Sequence, residues 1–459
     1  MRSSTFILTL ATFAVAPGVI AQTPAERQVV ADIERFADSL IKSVPVAGVS
    51  IVVVRGSETL LSKGYGVADV RTGRRMTDST ASRIGSITKV FTAVAIMKLV
   101  DRGQVDLDTP IGTYLPGLSI PPVTIRQALN HTSGLPDSEG SAMQQWMTDR
   151  KPITTEFILG ILATQPARTA GAAWAYNNTG FHLLGLVIEK VSGTSYEEFI
   201  QREISRPLGL NSTWMHPNRP AGAVETENYY LRDGRFVRDS LWDLPGIWSA
   251  GGMLSTATDL SWFVRALASG DITSKPALEK MITPTVLPSG ARADYGLGIR
   301  LGAIGNHPKL GHTGSARSTR AAAAHYPLDS LTVVVLMNTE QDGIPISAIE
   351  IEGRIARMAL GISTNRRTDL RLTSDSAAEY TGTYSDGAVQ NLIAEKDGVL
   401  HYSRVGSTSP PVPLLYQGGE TWADPEYAEF FFVFQRQGPK VVGLARYDNG
   451  WFVGVRARQ

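Results

Sequence analysis

Cysteine is absent from this sequence, and several other absences narrow what the chain can do. Without cysteine, disulfide bonds, thiolate metal sites, thiol nucleophiles and a lipidated cysteine are all excluded. The 44 basic residues nearly balance the 43 acidic ones, so no charge excess favours nucleic acid or an anionic membrane as a partner. Five of the seven histidines, His182, His216, His307, His325 and His401, show no metal-ligand spacing. We therefore predict no metal, no cofactor and no nucleic-acid partner.

Long apolar runs are also absent, except at the N-terminus, which has the features of a secretory signal. Arg2 supplies a positive charge, and residues 6–20 are mostly apolar and are followed by the small residue Ala21. Pro17 and Gly18 interrupt this run, which is also short for a membrane span. We predict cleavage after Ala21, a periplasmic or secreted location and no membrane contact beyond this signal; a retained anchor is the alternative. The oligomeric state stays open.

The chain is long enough for two domains, and its first part has a helix followed by a hairpin. Residues 26–43 have helical periodicity, and the apolar run 48–54 and the returning run 60–70 have the pattern of paired strands. Residues 87–100 are apolar nearly all round, which predicts a buried central helix.

The middle of the chain is predicted to be helical and the part after it to return to strands. The segments are helices over 181–191, 196–204 and after Ser255, strands over 296–300, 321–325 and 331–337, and a closing helix over 344–360. We expect the late strands to share one antiparallel sheet with the early hairpin, flanked by helices and interrupted by the helical insert. The predicted fold class is therefore α+β.

Polar and charged residues over 363–374 predict a linker. Beyond it, short strand patterns alternate with turn dipeptides such as Asp397-Gly398 and Asn449-Gly450. These patterns predict a small all-β, barrel-like domain over 375–459, after a larger domain over 22–362. The small domain either narrows the mouth of a site in the large one or serves stability or assembly.

Ser86 and Lys89 carry the strongest chemical signal. A serine hydroxyl needs a nearby base to become a nucleophile at neutral pH. If a helix begins at Ser86, the side chains of residues i and i+3 lie on one face, and the Lys89 nitrogen can reach the serine oxygen. Ser39 and Lys42 have the same spacing, and we interpret that pair as solvated helix surface. The spacing alone does not separate the two pairs.

Four further motifs follow Ser86 in an informative order. They are His131-Thr132-Ser133-Gly134-Leu135-Pro136, Tyr176-Asn177-Asn178, the stretch 248–256 and His312-Thr313-Gly314. In this order the chain resembles the serine β-lactamases and penicillin-recognising enzymes over roughly residues 27–361. The branch it resembles includes class C β-lactamases, D-alanyl-D-alanine carboxypeptidases of the R61 type, D-aminopeptidases and esterases. The resemblance implies a β-lactamase/transpeptidase-like serine hydrolase domain over 22–362.

The resemblance also implies roles for three catalytic residues. Ser86 would be the acylated nucleophile. Lys89 would be its general base or would hold the proton network that activates it. Tyr176 would pass a proton to the leaving group and later activate water. His131 and Thr132 are expected to shape a turn.

Further residues would bind or support the substrate. Asn178 would hydrogen-bond Lys89 or a substrate amide, and His312, if protonated, would be a second cation near Tyr176. The backbone N–H groups of Ser86 and Ser315 would form the oxyanion hole. The substrate-binding and supporting set is Asn178, His312, Thr313, Gly314, Ser315 and Arg317.

Two departures from the family pattern bear on the substrate. His312 stands where related β-lactamases carry a lysine, and a histidine is only partly charged at neutral pH. This favours hydrolysis of esters or peptides over β-lactams. Arg317 or Arg320 would bind a substrate carboxylate, or lie on the surface. The predicted function is an exported serine hydrolase acting on small ester or amide/peptide substrates. The alternatives are a penicillin-binding carboxypeptidase or weak β-lactamase, and a non-catalytic binder of cell-wall fragments.

Overall fold

The computed structural model describes residues 23–137, 154–239, 247–340, 346–363, 369–427 and 429–459. The predicted signal over 1–21 and residues 364–368 of the predicted linker lie outside these ranges. None of the helices within the described ranges has both the length and the apolar character needed to cross a membrane.

Helices surround the sheet and fill the middle of the described chain. They are α1 (Pro24–Ser43), α2 (Thr88–Asp101), α3 (Ile111–Tyr114), α4 (Ile125–Leu129), α5 (Thr155–Thr164), α6 (Asn178–Ser192), α7 (Tyr196–Ile200), α8 (Trp248–Gly251), α9 (Ala257–Ser269), α10 (Lys275–Met281), α11 (Ala348–Leu360) and α12 (Ser374–Ala378). The predicted helical insert between the early hairpin and the late strands is therefore present.

Strands of the first two thirds of the chain are β1 (Gly48–Arg55), β2 (Glu58–Asp69), β3 (Arg74–Arg75), β4 (Thr80–Arg83), β5 (Trp214–Met215), β6 (Val224–Glu225), β7 (Tyr229–Arg232), β8 (Arg235–Arg238), β9 (Met253–Ser255), β10 (Thr285–Val286) and β11 (Arg292–Ala293). The later strands are β12 (Arg300–Ile304), β13 (His307–Ala316), β14 (Thr319–Tyr326), β15 (Leu331–Met337), β16 (Thr339–Glu340), β17 (Gly382–Ser385), β18 (Gln390–Lys396), β19 (Val399–Arg404), β20 (Val412–Pro413), β21 (Leu415–Gly418), β22 (Thr421–Ala423), β23 (Phe430–Gln437), β24 (Lys440–Asp448) and β25 (Trp451–Arg458).

The central sheet joins the two ends of the large domain. Its strands follow the order β12-β13-β14-β15-β1-β2-β3, and each neighbouring pair is antiparallel. Val52 of β1 lies opposite Val334 of β15, so the early hairpin and the late strands share one sheet, as predicted. The predicted α+β fold is confirmed.

Both faces of this sheet are buried, which explains the unbroken apolar run of β1. Val49 and Ile51 pack into a core with α1 and α11, whereas Val52 and Val54 pack into the core of the insert helices. Alternate residues of a strand point to opposite faces, so a strand covered on both sides needs apolar residues throughout.

Helix α2 crosses the centre of the second core, as its all-round apolar sequence predicts. Eleven of its residues are buried, and Phe91 stacks on Phe263 of α9 with 3.7 Å between ring centroids. Lys89 lies in this buried stretch and is fully inaccessible to solvent. A buried lysine in an apolar helix needs polar partners.

Three predicted elements differ from the structure. The strand predicted over 296–300 begins only at Arg300, because Gly298 adopts a φ of +75° where a Cβ would come within 2.4 Å of Ala93. The helix predicted over 196–204 stops at Ile200 and continues as a π-helical turn. The closing helix begins at Ala348, where Ser347 accepts a hydrogen bond from the Glu350 amide; residues 341–345 lie outside the described ranges.

The C-terminal region is an antiparallel array of β-strands with one short helix, α12, at its start. Its strands follow the order β20-β19-β18-β17-β25-β24-β23-β22-β21 around a separate core that includes Trp422 and Phe434. A single pair, Gly302 and Trp451, joins β25 to β12 of the central sheet. The domain boundaries given above remain predictions.

Candidate active site

Ser86 lies in the turn that connects β4 to α2. Gly85–Ile87 form a 3₁₀ turn, and the α-helix begins at Thr88, two residues later than the predicted start at Ser86. The i, i+3 relation survives because a 3₁₀ turn also brings residues three apart onto one side. Ser86 is half-buried, so its hydroxyl lies at the boundary between core and solvent.

Lys89 uses its buried nitrogen to connect three parts of the chain. Its Nζ lies 3.2 Å from Ser86 Oγ, 2.6 Å from Asn178 Oδ1 and 2.7 Å from the Ala250 carbonyl oxygen. An ammonium group has three donors, and these three acceptors satisfy all of them. The predicted contacts of Lys89 with Ser86 and Asn178 are therefore present in the structure.

Tyr176 lies directly beside this group. Its ring centroid is 4.8 Å from Lys89 Nζ, and its buried hydroxyl has no hydrogen-bond partner within the described ranges. Asn177 caps α6 by accepting from the Gly180 amide, which turns Asn178 inward at the first position of the helix. The Tyr176-Asn177-Asn178 motif thus brings a phenol and an amide to the same lysine.

Strand β13 passes against the turn that carries Ser86. A Cβ on Gly314 would lie 1.9 Å from the Ile84 carbonyl oxygen, and one on Gly85 would lie 2.7 Å from the Ser315 carbonyl. Only glycine permits this approach at both positions. The close contact brings the backbones of Ser86 and Ser315 together, as an oxyanion hole formed by their amides requires.

We predict that Gly314→Ala lowers kcat/KM at least about 100-fold, because the added methyl must push β13 away from the Ile84 carbonyl and displace the Ser315 amide. Steady-state hydrolysis of a p-nitrophenyl ester measures the effect. Gly160→Ala is the matched control, since a Cβ at this exposed helical position meets nothing within 4 Å. Equal activity of the two variants would contradict the prediction.

His312 is not the second cation near Tyr176 that the sequence analysis considered. It is fully buried, and burial together with the nearby Arg300 and Lys89 holds its pKa well below the usual 6.5. Its Nδ1 lies 2.5 Å from the Thr313 carbonyl oxygen and its Nε2 lies 3.0 Å from Tyr295 Oη. The imidazole is therefore neutral, and both its nitrogens are occupied. Thr313, next to it, is half-buried at the site.

Arg317 and Arg320 both have partners within the protein. Arg317 Nε lies 3.4 Å from Asp239 Oδ1, and its guanidinium lies over the Tyr230 ring. Arg320 donates to Ser315 Oγ at 2.6 Å and forms an ion pair with a glutamate of β16. Binding of a substrate carboxylate by Arg317 remains a prediction, and these ion pairs would compete with it.

Arg300 is a cation at the site that sequence analysis did not single out. Its guanidinium lies 5.4 Å from the Tyr176 ring centroid, and it donates a hydrogen bond to the Phe452 carbonyl of the C-terminal region. Phe452 also packs edge-on against Trp174, two residues before Tyr176. No local pattern marks Arg300, because only the pairing of β12 with β13 sets it beside His312.

The remaining sequence motifs occupy other places. Ser39 and Lys42 are exposed on α1, as expected for helix surface. His131 has a φ of +62° in the turn that its motif predicts. Among the described residues no cluster of histidine, aspartate and glutamate side chains could hold a metal ion.

Comparison with known proteins identifies the family of this chain. Residues 33–348 match the family model named Beta-lactamase. The chain is 30% identical over 379 residues to penicillin-binding protein 4* of Bacillus subtilis strain 168, a match that covers 76% of this chain and 82% of that protein.

Two solved structures extend the comparison to the fold. The octameric penicillin-binding protein homologue from Pyrococcus abyssi aligns with a TM-score of 0.66 and 26% identity, covering 94% of this chain and 100% of that one. D-amino acid amidase from Ochrobactrum anthropi SV3, complexed with L-phenylalanine amide, aligns with a TM-score of 0.64 and 27% identity over 73% of this chain and 98% of that one. The chain belongs to the β-lactamase family of serine penicillin-recognising enzymes and is a serine hydrolase.

Proposed function

We propose that this enzyme is exported and hydrolyses small ester or amide/peptide substrates, including substrates with D-residues, through an acyl-enzyme at Ser86. The observation that carries the proposal is the 3.2 Å contact between Lys89 Nζ and Ser86 Oγ in a buried setting. The amidase similarity supports an amide of a D-amino acid as one substrate class.

The two other partners of Lys89 explain how it would act as a base. Lys89 can act as a base only after its ammonium has lost a proton, and the neutral amine has two N–H donors and one lone pair. The acceptors Asn178 Oδ1 and the Ala250 carbonyl would take the two donors, so the lone pair would point at the Ser86 hydroxyl. Lys89 would then remove the serine proton as Ser86 Oγ attacks the substrate carbonyl carbon.

The remaining steps follow from the positions of the neighbouring groups. The amides of Ser86 and Ser315 would stabilise the negative oxygen of the tetrahedral intermediate; losing one such donor typically costs about 3 kcal/mol. The Tyr176 hydroxyl, free of other hydrogen bonds within the described ranges, would pass a proton to the leaving group. In the second half-reaction it would take a proton from the water that attacks the acyl-enzyme, and Lys89 would return its proton to Ser86 Oγ as the acyl group leaves.

Export rests on the sequence of the first 21 residues, with Arg2 ahead of an apolar run that ends at Ala21. Mass spectrometry of the protein from the producing cell's periplasm or medium tests it, with Gln22 expected as the first residue. Retention of residues 1–21 would favour the membrane anchor.

A penicillin-binding carboxypeptidase or weak β-lactamase is the second candidate, and Arg300 favours it. These substrates carry a carboxylate near the scissile bond, and Arg300 supplies a permanent positive charge near Tyr176 that neutral His312 cannot. A panel of p-nitrophenyl esters, nitrocefin, D-amino acid p-nitroanilides and D-Ala-D-Ala peptides separates the two candidates.

We predict that a fluorophosphonate probe labels the mature enzyme and that Ser86→Ala abolishes labelling, because the alanine has no nucleophile. Ser39→Ala is the control, since it removes a serine with the same spacing to a lysine from the exposed surface of α1. Gel fluorescence and peptide mass mapping locate the label. Persistent labelling of the Ser86→Ala variant would remove Ser86 from the mechanism.

A further inference from the structure

A line of buried hydrogen bonds runs beside Tyr176, and the mechanism above does not use it. The Asn177 amide donates to His131 Nδ1 at 3.1 Å, and His131 Nε2 lies 3.1 Å from Tyr295 Oη. Tyr295 Oη lies 3.0 Å from His312 Nε2, and His312 Nδ1 lies 2.5 Å from the Thr313 carbonyl oxygen. His131, Tyr295 and His312 are fully buried.

The first end of this line fixes the position of one proton. A backbone amide can only donate, so His131 Nδ1 accepts from Asn177. A neutral imidazole with an accepting Nδ1 carries its proton on Nε2. His131 Nε2–H therefore donates to Tyr295 Oη.

The other end fixes a second proton independently. A carbonyl oxygen can only accept, so His312 Nδ1 carries a proton and donates to Thr313. His312 Nε2 then accepts, and the Tyr295 hydroxyl donates to it. Both ends therefore require the same order of donors and acceptors: each of the four hydrogen bonds is donated in the direction from Asn177 towards Thr313 and contains one proton.

This direction is compatible only with neutral histidines. A second proton on His131 would lie on Nδ1, where two N–H donors would then face each other and the hydrogen bond from the Asn177 amide would be lost. A second proton on His312 would place an N–H where the Tyr295 hydroxyl donates, so the hydroxyl proton would have to turn away and lose this buried acceptor. The charged groups acting on both rings are cations, Lys89 from α2 and Arg300 from β12, and with burial they keep both pKa values well below 6.5.

The line connects two separate parts of the site. One end is the residue between Tyr176 and Asn178, and the His131 ring lies 4.3 Å from the Tyr176 ring. The other end is Thr313, two residues before Ser315. The hydrogen bonds thus span from the turn that carries the phenol to the strand that carries the proposed oxyanion amide.

We propose that His131, Tyr295 and His312 are positioning residues whose one-directional hydrogen bonds hold Tyr176 in place relative to the Thr313–Ser315 strand. The proposal rests on the proposed function for the task it gives to Tyr176. It also makes His312 a structural link with no N–H left for a substrate carboxylate, so carboxylate recognition falls to another group.

Tyr295→Phe tests the proposal because it removes one oxygen and keeps the packed ring. Both central links are lost, so we expect kcat and kcat/KM for a p-nitrophenyl ester to fall together by about 10- to 100-fold. Rates are normalised to the fraction of enzyme that the fluorophosphonate probe labels, which removes the effect of unfolded protein.

Tyr196→Phe is the matched control. Tyr196 is equally buried and its hydroxyl bonds Thr92 at 2.7 Å, outside the line. We expect its normalised kcat to stay within about twofold of the wild type, since surrounding contacts are unchanged. Equal normalised kcat for the two variants, with labelling at Ser86 intact, would overturn the positioning role without touching the proposed nucleophile.

A spectroscopic measurement on the wild type keeps the test independent of the variants. Long-range ¹H–¹⁵N correlation spectra of enzyme labelled at histidine distinguish the imidazole forms. At pH 6 we expect neutral His131 with its proton on Nε2 and neutral His312 with its proton on Nδ1. A protonated imidazole or the opposite tautomer at either residue would contradict the proposed direction.

Discussion

Replacing Lys89 with methionine should lower kcat by about 100-fold or more, the loss expected when a general base is removed. Methionine fills most of the lysine's volume but leaves Ser86 Oγ without a base. It also leaves Asn178 Oδ1 and the Ala250 carbonyl without their buried donor. Stopped-flow measurement of Ser86 acylation by a p-nitrophenyl ester separates the acylation step from turnover.

Lys42→Met is the control for this experiment. Lys42 stands at the same spacing from a serine, but it is exposed on α1 and should change kcat by less than about twofold, as ordinary surface substitutions do. If Lys89→Met retained wild-type kcat, Lys89 would have no part in activating Ser86. A loss confined to KM would instead assign it to substrate binding.

Removing the Glu352 carboxylate should be the most destabilising single change where β25 of the C-terminal region meets the central sheet. Glu352 is fully buried and accepts from Lys309 Nζ at 2.9 Å, from Trp451 Nε1 at 2.9 Å and from Tyr326 Oη at 2.5 Å. Glu352→Leu leaves the Lys309 charge buried and unpaired, so the free energy of unfolding should fall by about 3–5 kcal/mol. Urea denaturation followed by tryptophan fluorescence measures it.

The double variant Lys309→Met, Glu352→Leu should recover most of that loss, because it removes both buried charges together. The exposed pair of Lys63 with Glu34 provides the comparison: Glu34→Gln should cost less than about 1 kcal/mol. If Glu352→Leu were as stable as Glu34→Gln, the buried pair of Lys309 and Glu352 would contribute no more to the free energy of unfolding than the exposed pair does.

The pH dependence of stability supplies a second measurement on the same pair. Burial lowers the pKa of Lys309 to about 8, below its value of about 10.4 in an unfolded chain. Between these values the unfolded state binds more protons than the folded state, so stability from this group rises with pH over that window. Lys309→Met should lack this rise, and an equal slope in both proteins would contradict the assignment.

The contacts of Glu352 and Lys309 at the start of β25 matter for the active site because Phe452, the residue after Trp451, contacts residues beside Tyr176. The Lys309 ammonium also donates to the Asn449 carbonyl at 2.8 Å and lies 4.2 Å from the Trp451 ring centroid. The start of β25 is thus held against the central sheet. Phe452 then contacts Arg300 and Trp174, the residues that flank Tyr176. The C-terminal region therefore packs against residues that border Tyr176.

Local patterns predicted much of the fold. The helix over 26–43, the hairpin after it and the late apolar strands all have periodicities set by burial along one segment, and the structure agrees with them. The prediction of a strand over 296–300 was wrong because the glycines of this segment pack against Met281 and Ala93, which lie elsewhere in the sequence. Strand propensity cannot report such a contact.

The residues of the candidate site also fall into two groups, those that the sequence could predict and those that it could not. Ser86, Lys89, Tyr176 and Asn178 belong to short motifs whose chemistry can be recognised from residue types and spacing. Tyr295 and Arg300 belong to no motif and join the site only through the packing of β12 and the turn before it against β13.

By itself the sequence determined the residue types of the site, the order of its motifs and the α+β class, because these follow from local chemistry and periodicity. Only the tertiary structure decided the charge of His312, since burial and two neighbouring cations act on it from other segments. It likewise assigned Arg317 to an ion pair with Asp239 and brought the C-terminal region to the site through Phe452. Protonation and contacts between distant segments depend on surroundings that no local pattern encodes.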